Sequence, residues 1–388
     1  MKLTEKQLDL VEVETISDNN KIACLASAGS GKSTVVQNRV AHLINDKDVS
    51  PQKIALFSFS RTATKEIRDR LYDQIGPEKF ERLTVSTLHS FCYKIVASYY
   101  VKRGPINIMY GGQFFNTAKA FINNSDEGDP IHDLKPGSFV NAIEGVMKDN
   151  SSLMDLSDAE KNLWNRMRKW MNKHNYYLFA ELLYYAHELL YTNKRIRAKY
   201  ANLYDYWFID EAQDTTRVVI DILRLLMKPE SKLFMSFDII QSLYQFAGAD
   251  PFYLMNYLKD INAEVIKLDE TFRFGPTISK FADKIVDEIE IEDTFKMHTK
   301  TNQKSENVSL VEISDSKTVK YVCQDIERLI NEEGVNLNDI NVLCRTNKPL
   351  ISYQNELAKR GINSRMKFGY LWERKEIKIL LSIVRLIY

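Results

Sequence analysis

The stretch KIACLASAGSGKSTVV, residues 21–36, places a short apolar run, a loop of small residues and the start of a helical pattern in direct succession. A strand that ends in such a loop can wrap its backbone N–H groups around phosphates, because glycines remove the Cβ atoms that would block the approach. Lys32 can reach the β- and γ-phosphates of a nucleotide, and the Ser33 hydroxyl can bind Mg²⁺. Ala26 stands where the strict pattern has glycine. The stretch predicts a nucleotide-binding loop, or P-loop, between a strand and a helix.

Further buried strands are predicted on both sides of this loop. The apolar runs lie at 53–59, 83–91, 205–211 and 231–237, and the run at 83–91 is expected to lead from a strand into a loop. Helical periodicity, as at 62–72, accompanies these runs along the chain. Strands that alternate with helices predict an α/β protein with a parallel, doubly wound sheet.

The pattern changes between about residues 95 and 200, where strand-like runs are absent and helical segments dominate. Residues 161–205 contain nine Lys and Arg against three Asp and Glu. We therefore expect a basic helical insertion between strands of the first sheet, and its charge is suited to phosphates.

A second α/β unit is predicted after about residue 270. Strand candidates lie at 308–313 and 340–345, with a helix at 317–333 between them. The acidic run at 283–293 is interpreted as a solvated helix face and loop, and 380–388 as an apolar helical pattern.

Composition excludes several classes of protein. The 388 residues carry 53 Lys and Arg against 52 Asp and Glu, so any nucleic-acid binding must come from a local patch. The four cysteines lie far apart, which argues against a zinc site or a disulfide framework and fits a cytoplasmic location. No stretch approaches the roughly 18 apolar residues of a spanning helix, so no membrane partner is expected.

A second chemical motif follows the apolar run at 205–211. Asp210 and Glu211 are adjacent acids at the end of a predicted strand, an arrangement that suits metal-assisted phosphate chemistry. Asp210 would hold Mg²⁺, and Glu211 would accept a proton from the attacking water. Taken alone, these acids could instead favour a helix N-terminus. Their combination with the P-loop favours the catalytic interpretation.

The P-loop and the box DEAQD (210–214) together resemble the UvrD/Rep family of superfamily 1 (1A) DNA helicases, ATP-driven motors that move along single-stranded DNA. Further segments match in the same order: 4–7 (Q motif), 58–63 (motif Ia), 86–91 (motif Ib), 238–249 (motif III), 268–273 (motif IV), and the later landmarks 345–347 and 373–377. Segments resembling motifs V and VI are not found, so we expect an N-terminal portion or a truncated form of such a motor. Thr34, Phe237 and Ala247 also depart from the family pattern.

The resemblance implies roles for individual residues. ATP would contact Gln7 at its adenine edge, Phe272 by stacking, and the loop residues Ala28, Gly29, Ser30, Gly31, Lys32, Ser33 and Thr34. Catalysis would rest on Lys32, Asp210, Glu211, Gln241 and Arg273, with Mg²⁺ held by Ser33 and Asp210. DNA would contact Phe59, Arg61, His89, Tyr244, Phe246 and Asn347.

The implied fold is a RecA-like domain at 1–95 and 200–270, a helical DNA-binding insertion at 96–199, and a partial second RecA-like domain at 271–388. The implied function is an ATP-dependent helicase or translocase on single-stranded or partial duplex DNA, with hydrolysis between the two RecA-like domains. Without motifs V and VI, turnover by the chain as given is in question. The alternative is a nucleotide-gated DNA-binding or regulatory subunit that works with a nuclease or another protein subunit.

Overall fold

The computed structural model describes residues 3–13, 20–100, 106–149, 151–288, 298–301 and 307–366. The chain forms two compact units, Met1–Val308 and Ser309–Tyr388. The predicted landmark at 373–377, the apolar pattern at 380–388 and the end of the acidic run at 289–293 lie outside the described residues.

The strands are β1 (Lys21–Ala26), β2 (Ile54–Ser58), β3 (Thr84–Thr87), β4 (Asn107–Met109), β5 (Tyr176–Leu178), β6 (Tyr206–Asp210), β7 (Lys232–Phe237), β8 (Glu264–Leu268), β9 (Glu270–Thr271) and β10 (His298–Thr299). The helices of the first unit are α1 (Glu5–Glu12), α2 (Lys32–Asn45), α3 (Arg61–Ile75), α4 (Pro77–Arg82), α5 (Leu88–Tyr100), α6 (Gly111–Asn123), α7 (Pro136–Asp149), α8 (Asp158–Lys173), α9 (Phe179–Thr192), α10 (Lys194–Ala201), α11 (Arg217–Leu226), α12 (Pro251–Asp260) and α13 (Pro276–Asp287). Those of the second unit are α14 (Asp315–Asn331) and α15 (Lys348–Lys359).

A parallel six-stranded sheet in the order β3-β2-β6-β7-β1-β8 forms the centre of the first unit. Ser58 is in register with Asp210, and Leu25 with Phe237, so the carboxyl ends of neighbouring strands lie at one edge. Functional side chains of open parallel sheets gather at this edge. The predicted α/β class and parallel sheet are confirmed.

Helices cover both faces of the sheet, as alternating side chains along its strands require. On β6, Phe208 packs with α2 and α3 on one face, while Trp207 and Ile209 pack with α5, α9 and α11 on the other. The strands predicted at 21–25, 53–59, 83–91, 205–211 and 231–237 are all present in this sheet. All of these strands except the edge strand β3 are buried on both faces, which makes their apolar runs continuous and recognisable.

Two sequence predictions for this sheet need correction. The run at 83–91 does not lead into a loop, because α5 begins at Leu88 directly after β3. The edge strand β8 was missed, because one side of it is half solvated and its sequence, EVIKL, mixes charged with apolar residues.

The insertion is mainly helical, as predicted, and has its own apolar core around Phe114, Phe139 and Trp164. The predicted absence of strands was wrong, since β4 and β5 form a short parallel pair. Three-residue strands are too short to leave a clear periodic signal.

A buried ion pair joins α8 to α9 inside the insertion. The Arg168 guanidinium lies 3.4 Å from Glu181 Oε1 and 4.7 Å from the ring centre of Tyr177. The Glu181 side chain is fully buried, and burial raises the pKa of its carboxyl to about 7.

The second unit confirms the predicted helix at 317–333 as α14, which packs against α15 through Cys323, Ile326, Tyr353 and Leu357. The strands predicted at 308–313 and 340–345 are not formed in the described part of this unit. Leu310 and Leu343 are 89% and 93% exposed. A strand is stable only with ladder partners and a covered face, and the described residues of this unit provide neither.

Two expectations drawn from the composition, on cysteines and on membrane spans, can be compared with the structure. All four cysteines are free, and the described residues contain no group of three or more His, Cys, Asp or Glu side chains placed to hold a metal ion. Within the same ranges, no helix has the length and apolar character to span a membrane.

Candidate nucleotide and DNA site

The P-loop lies between β1 and α2 at the carboxyl edge of the sheet. Gly29 and Gly31 have φ values of +75° and +84°, a region that favours glycine. A Cβ atom on Gly29 would lie 2.6 Å from Arg273 Cβ and 2.8 Å from Thr271 Oγ1. Glycine at this position therefore allows both the turn and the close approach of another segment.

That segment, residues 268–273, is hydrogen-bonded along the P-loop. Ser27 N donates to Leu268 O (2.9 Å), Thr271 Oγ1 donates to Ala28 O (2.7 Å), and Phe272 N donates to Gly29 O (3.1 Å). These bonds place Phe272 and the exposed Arg273 directly beside the loop. The structure thus brings two residues predicted from motif IV to the predicted P-loop.

Lys32 begins α2 and is almost completely buried. Its Nζ atom lies 3.5 Å from Glu211 Oε2 and 3.9 Å from Asp238 Oδ2, and it has no hydrogen-bond partner among the described residues. The hydroxyls of Ser27 and Ser30 are likewise buried without a partner there. A buried donor without an acceptor is costly, so these groups fit an anion such as a nucleotide phosphate.

Ser33 and Asp210 are adjacent, as a shared Mg²⁺ would require. Ser33 Oγ donates to Asp210 Oδ2 (2.8 Å), and Ser236 Oγ donates to Asp210 Oδ1. Burial, and then the neighbouring charge of Glu211, raise the pKa of the Asp210 carboxyl. A divalent cation would favour the ionised carboxylate, and oxygen ligands of this kind suit Mg²⁺.

Glu211 lies beside Lys32, and Gln241 is hydrogen-bonded to Asp238, the other carboxylate near that ammonium. Glu211 has a left-handed backbone with φ +56°, which is uncommon for a residue with a side chain. Gln241 donates from its side-chain amide to Asp238, whose Oδ1 also accepts from Ile240 N (3.1 Å). The predicted catalytic residues Lys32, Asp210, Glu211 and Gln241 are therefore grouped at the ends of β1, β6 and β7.

Gln7 is held against the P-loop rather than left open to solvent. Its Nε2 donates to Ser30 O (2.8 Å), and its Oε1 accepts from Thr4 N (3.0 Å) in a capping box at the start of α1. Thr34 lies in the first turn of α2, next to Gly31. Both residues therefore lie beside the P-loop, and their contacts with a nucleotide stay predictions.

The predicted DNA-contacting residues of the first unit lie at or near the same sheet edge. The rings of Phe59 and Tyr244 are 4.8 Å apart, and His89 stacks on Phe179 at 4.3 Å. Burial lowers the pKa of His89 to about 4, so its ring is neutral at pH 7. His89 is therefore suited to stacking or hydrogen bonding, and it contributes no positive charge.

A cavity joins this group to the nucleotide site. Its lining includes Phe59, His89, Asp210 and Asp214. Burial and the Glu211 charge raise the pKa of Asp214 to about 7. Asp210, a predicted Mg²⁺ ligand, thus lines the same cavity as the predicted DNA-contacting rings of Phe59 and His89.

Three other residues are predicted to contact DNA: Arg61, Phe246 and Asn347. Arg61 is exposed at the start of α3, and Phe246 lies in a short turn, Gln245–Ala247. Asn347 belongs to the second unit, where it is exposed just before α15.

Sequence reasoning assigned no role to Ser236, Asp238, Gln213 or Asp214, although all contact the predicted catalytic residues or line their cavity. Gln213 and Asp214 lie inside the box DEAQD, and Asp238 begins motif III, so local sequence could have suggested them. Ser236 carries no such signal, because only pairing of β6 with β7 brings it to Asp210.

A parallel sheet with a P-loop after its first strand and paired acids after another defines a P-loop nucleotide-binding protein. The model of the UvrD/REP helicase N-terminal domain matches residues 3–262, and that of the UvrD-like helicase C-terminal domain matches residues 266–388. The chain belongs to the UvrD/Rep helicase family.

Proteins of similar sequence carry helicase names of the same kind. The chain is 27% identical over 406 residues to a probable DNA helicase II homolog of Mycoplasma capricolum, with 99% of the chain and 55% of the relative covered. It is 25% identical to the ATP-dependent DNA helicase PcrA of Staphylococcus aureus (94% and 51% covered) and 23% identical to that of Leuconostoc citreum (99% and 52%). The chain thus spans about half the length of these relatives.

Proposed function

We propose that this chain binds ATP with Mg²⁺ at the carboxyl edge of the first sheet and hydrolyses it as part of an ATP-dependent DNA helicase or translocase. The observation that carries the proposal is the buried Lys32 ammonium, which lies within 4 Å of two carboxylates and has no hydrogen-bond partner among the described residues. Such an ammonium is suited to the β- and γ-phosphates of a nucleotide.

The residues divide the chemistry between them. Backbone N–H groups of Ala28–Ser33 and Lys32 would hold the phosphates, and Ser33 with Asp210 would hold Mg²⁺. When bound, Mg²⁺ neutralises charge on the phosphates. Glu211 would orient the attacking water and take its proton, while Gln241 and Arg273 would contact the γ-phosphate.

Single-stranded DNA is the proposed polymer. Support comes from the Phe59–Tyr244 ring pair and the His89–Phe179 stack beside the nucleotide site. Aromatic side chains bind bases of any sequence, with about 1–3 kcal/mol per stacked base. Partial duplex DNA, and a nuclease or another protein subunit, are further proposed partners.

The domain division also stays a proposal. It places the RecA-like nucleotide-binding domain at 1–95 and 200–270, the DNA-binding insertion at 96–199 and part of a second RecA-like domain at 271–388. The separate apolar core of the insertion supports its treatment as a distinct part.

The test is ATP hydrolysis measured with and without single-stranded DNA, for the unmodified chain and for Lys32→Ala. We expect hydrolysis that DNA stimulates and that Lys32→Ala abolishes. Hydrolysis that survives Lys32→Ala unchanged would contradict the proposal. If ATP changes the affinity for single-stranded DNA but is not turned over, the chain is a nucleotide-gated DNA-binding subunit.

A further inference from the structure

Gln213 occupies an unusual position between two parts of the nucleotide site. It follows β6 by three residues and is 2% exposed. Its Nε2 donates to Glu211 Oε2 (2.7 Å), and its Oε1 accepts from Asp238 N (3.0 Å). Its backbone carbonyl accepts from Ser242 Oγ (3.3 Å). One residue therefore connects the end of β6 with the segment that follows β7.

Glu211 needs such a restraint. Its backbone is left-handed and its side chain is 30% exposed, so the local chain alone does not fix the carboxylate. Lys32 Nζ lies 3.5 Å from the same Oε2 atom that accepts from Gln213. Without Gln213, the carboxylate would be free to move closer to Lys32 and to compete with a phosphate for that ammonium.

A side-chain amide meets both demands at this position. The Glu211 carboxylate needs a donor, and the Asp238 N–H needs an acceptor. An ionised glutamate would offer no donor and would add a third carboxylate beside Glu211 and Asp214, while methionine would offer neither group.

The contacts continue from Asp238 to the predicted γ-phosphate sensor. Asp238 accepts hydrogen bonds from Ile240 N and from the side-chain amide of Gln241. Hydrogen bonds thus connect, in order, Glu211, Gln213, Asp238 and Gln241. The positions of the predicted base, Glu211, and of the predicted γ-phosphate sensor, Gln241, therefore depend on each other.

We propose that Gln213 is a positioning residue that fixes the Glu211 carboxylate for water activation and ties it to the segment carrying Gln241. This inference rests on the proposed ATP hydrolysis. Gln213 acts through Glu211 and touches no reacting atom, so its loss should impair turnover and leave nucleotide binding nearly intact.

The experiment is a double-mutant cycle in single-turnover ATP hydrolysis with single-stranded DNA present. Gln213→Met is made in the unmodified chain and in Glu211→Gln, and the nucleotide dissociation constant is measured for each protein. A general base contributes about 10²–10⁴-fold, so losing its orientation should lower the rate about 10- to 100-fold. In the Glu211→Gln background the further loss should stay below about twofold, and the dissociation constant should change less than about threefold.

Gln37→Met is the matched control. Gln37, in α2, is also 2% exposed, but it takes no part in the hydrogen bonds that connect Glu211 with Gln241. Gln213→Glu keeps the size and the acceptor while removing the donor, and it provides a second variant if Gln213→Met does not fold. Equal losses in both backgrounds, or a rate unchanged in the unmodified background, would overturn the inference and leave the proposed function standing. If the unmodified chain hydrolyses no ATP, both fail.

Discussion

Gly29 is the position where the structure makes its sharpest demand on a single residue. Its φ is +75°, and a Cβ atom there would lie 2.6 Å from Arg273 Cβ and 2.8 Å from Thr271 Oγ1. Both neighbours belong to a segment hydrogen-bonded to the P-loop through Ala28 O and Gly29 O. Gly29→Ala must therefore displace either the loop or the segment that carries Arg273.

The expected loss of stability has two parts. A non-glycine residue in the left-handed region costs roughly 1–2 kcal/mol. Forcing an extra methyl group into a packed site typically costs about 1–3 kcal/mol more. A lower entropy of the unfolded chain offsets about 0.4–1 kcal/mol of this. We expect Gly29→Ala to lower the free energy of unfolding of the first unit by about 2–4 kcal/mol.

Gly128→Ala is the matched control, because Gly128 has a φ of +94° with no atom within 4 Å of its virtual Cβ. Gly128→Ala shares the cost of a left-handed backbone and the lower entropy of the unfolded chain with Gly29→Ala, but its new methyl group meets no neighbouring atom. Urea unfolding followed by circular dichroism should show Gly29→Ala to be the more destabilised variant by about 1–3 kcal/mol. Equal destabilisation would refute the close approach of residues 271–273 to the loop.

Three further predictions concern the site and the insertion. Ser236→Ala removes a donor from Asp210 and should raise the Mg²⁺ concentration for half-maximal nucleotide binding by about 10-fold or more. Ser231→Ala should not, because the buried Ser231 lies just before β7, at the end of the strand away from Asp210. Asp214 has a pKa raised to about 7, so the folded state binds more protons than the unfolded chain between about pH 4 and pH 7. Its contribution to stability should therefore fall as pH rises through this range, and Asp214→Asn should flatten that part of the profile in urea unfolding at several pH values. Arg168→Met leaves the buried Glu181 without its cation and should cost about 3–5 kcal/mol in urea unfolding, with recovery when Glu181→Gln is added; lack of recovery would contradict the pairing.

Local sequence predicted the parts of this fold whose determinants are local. The P-loop and the acids after β6 depend on a few adjacent residues, and the central strands are apolar on both faces, so both kinds of signal are strong. The sheet edge is different: β8 has one solvated side, and nothing in EVIKL says which strand it joins.

The contacts that hold the site depend on chain packing. Gln213 reaches Asp238 only because β6 pairs with β7, and Thr271 reaches Ala28 only because β8 pairs with β1. The strands predicted at 308–313 and 340–345 show the converse. Their apolar residues favour a strand, but the described residues of the second unit supply no ladder partner, so the pattern alone does not produce one.

The central claim is that the carboxyl edge of the first sheet binds ATP with Mg²⁺ through Lys32 and Asp210. The most direct test is equilibrium binding of a fluorescent ATP analogue with and without Mg²⁺, for the unmodified chain, Lys32→Ala and Asp210→Asn. We expect Mg²⁺-dependent binding that Lys32→Ala weakens at least about tenfold, as loss of a charge-assisted bond of about 1.5–3 kcal/mol implies, and whose Mg²⁺ dependence Asp210→Asn removes. Binding with the same affinity in all three proteins, or binding indifferent to Mg²⁺ in the unmodified chain, would contradict the claim.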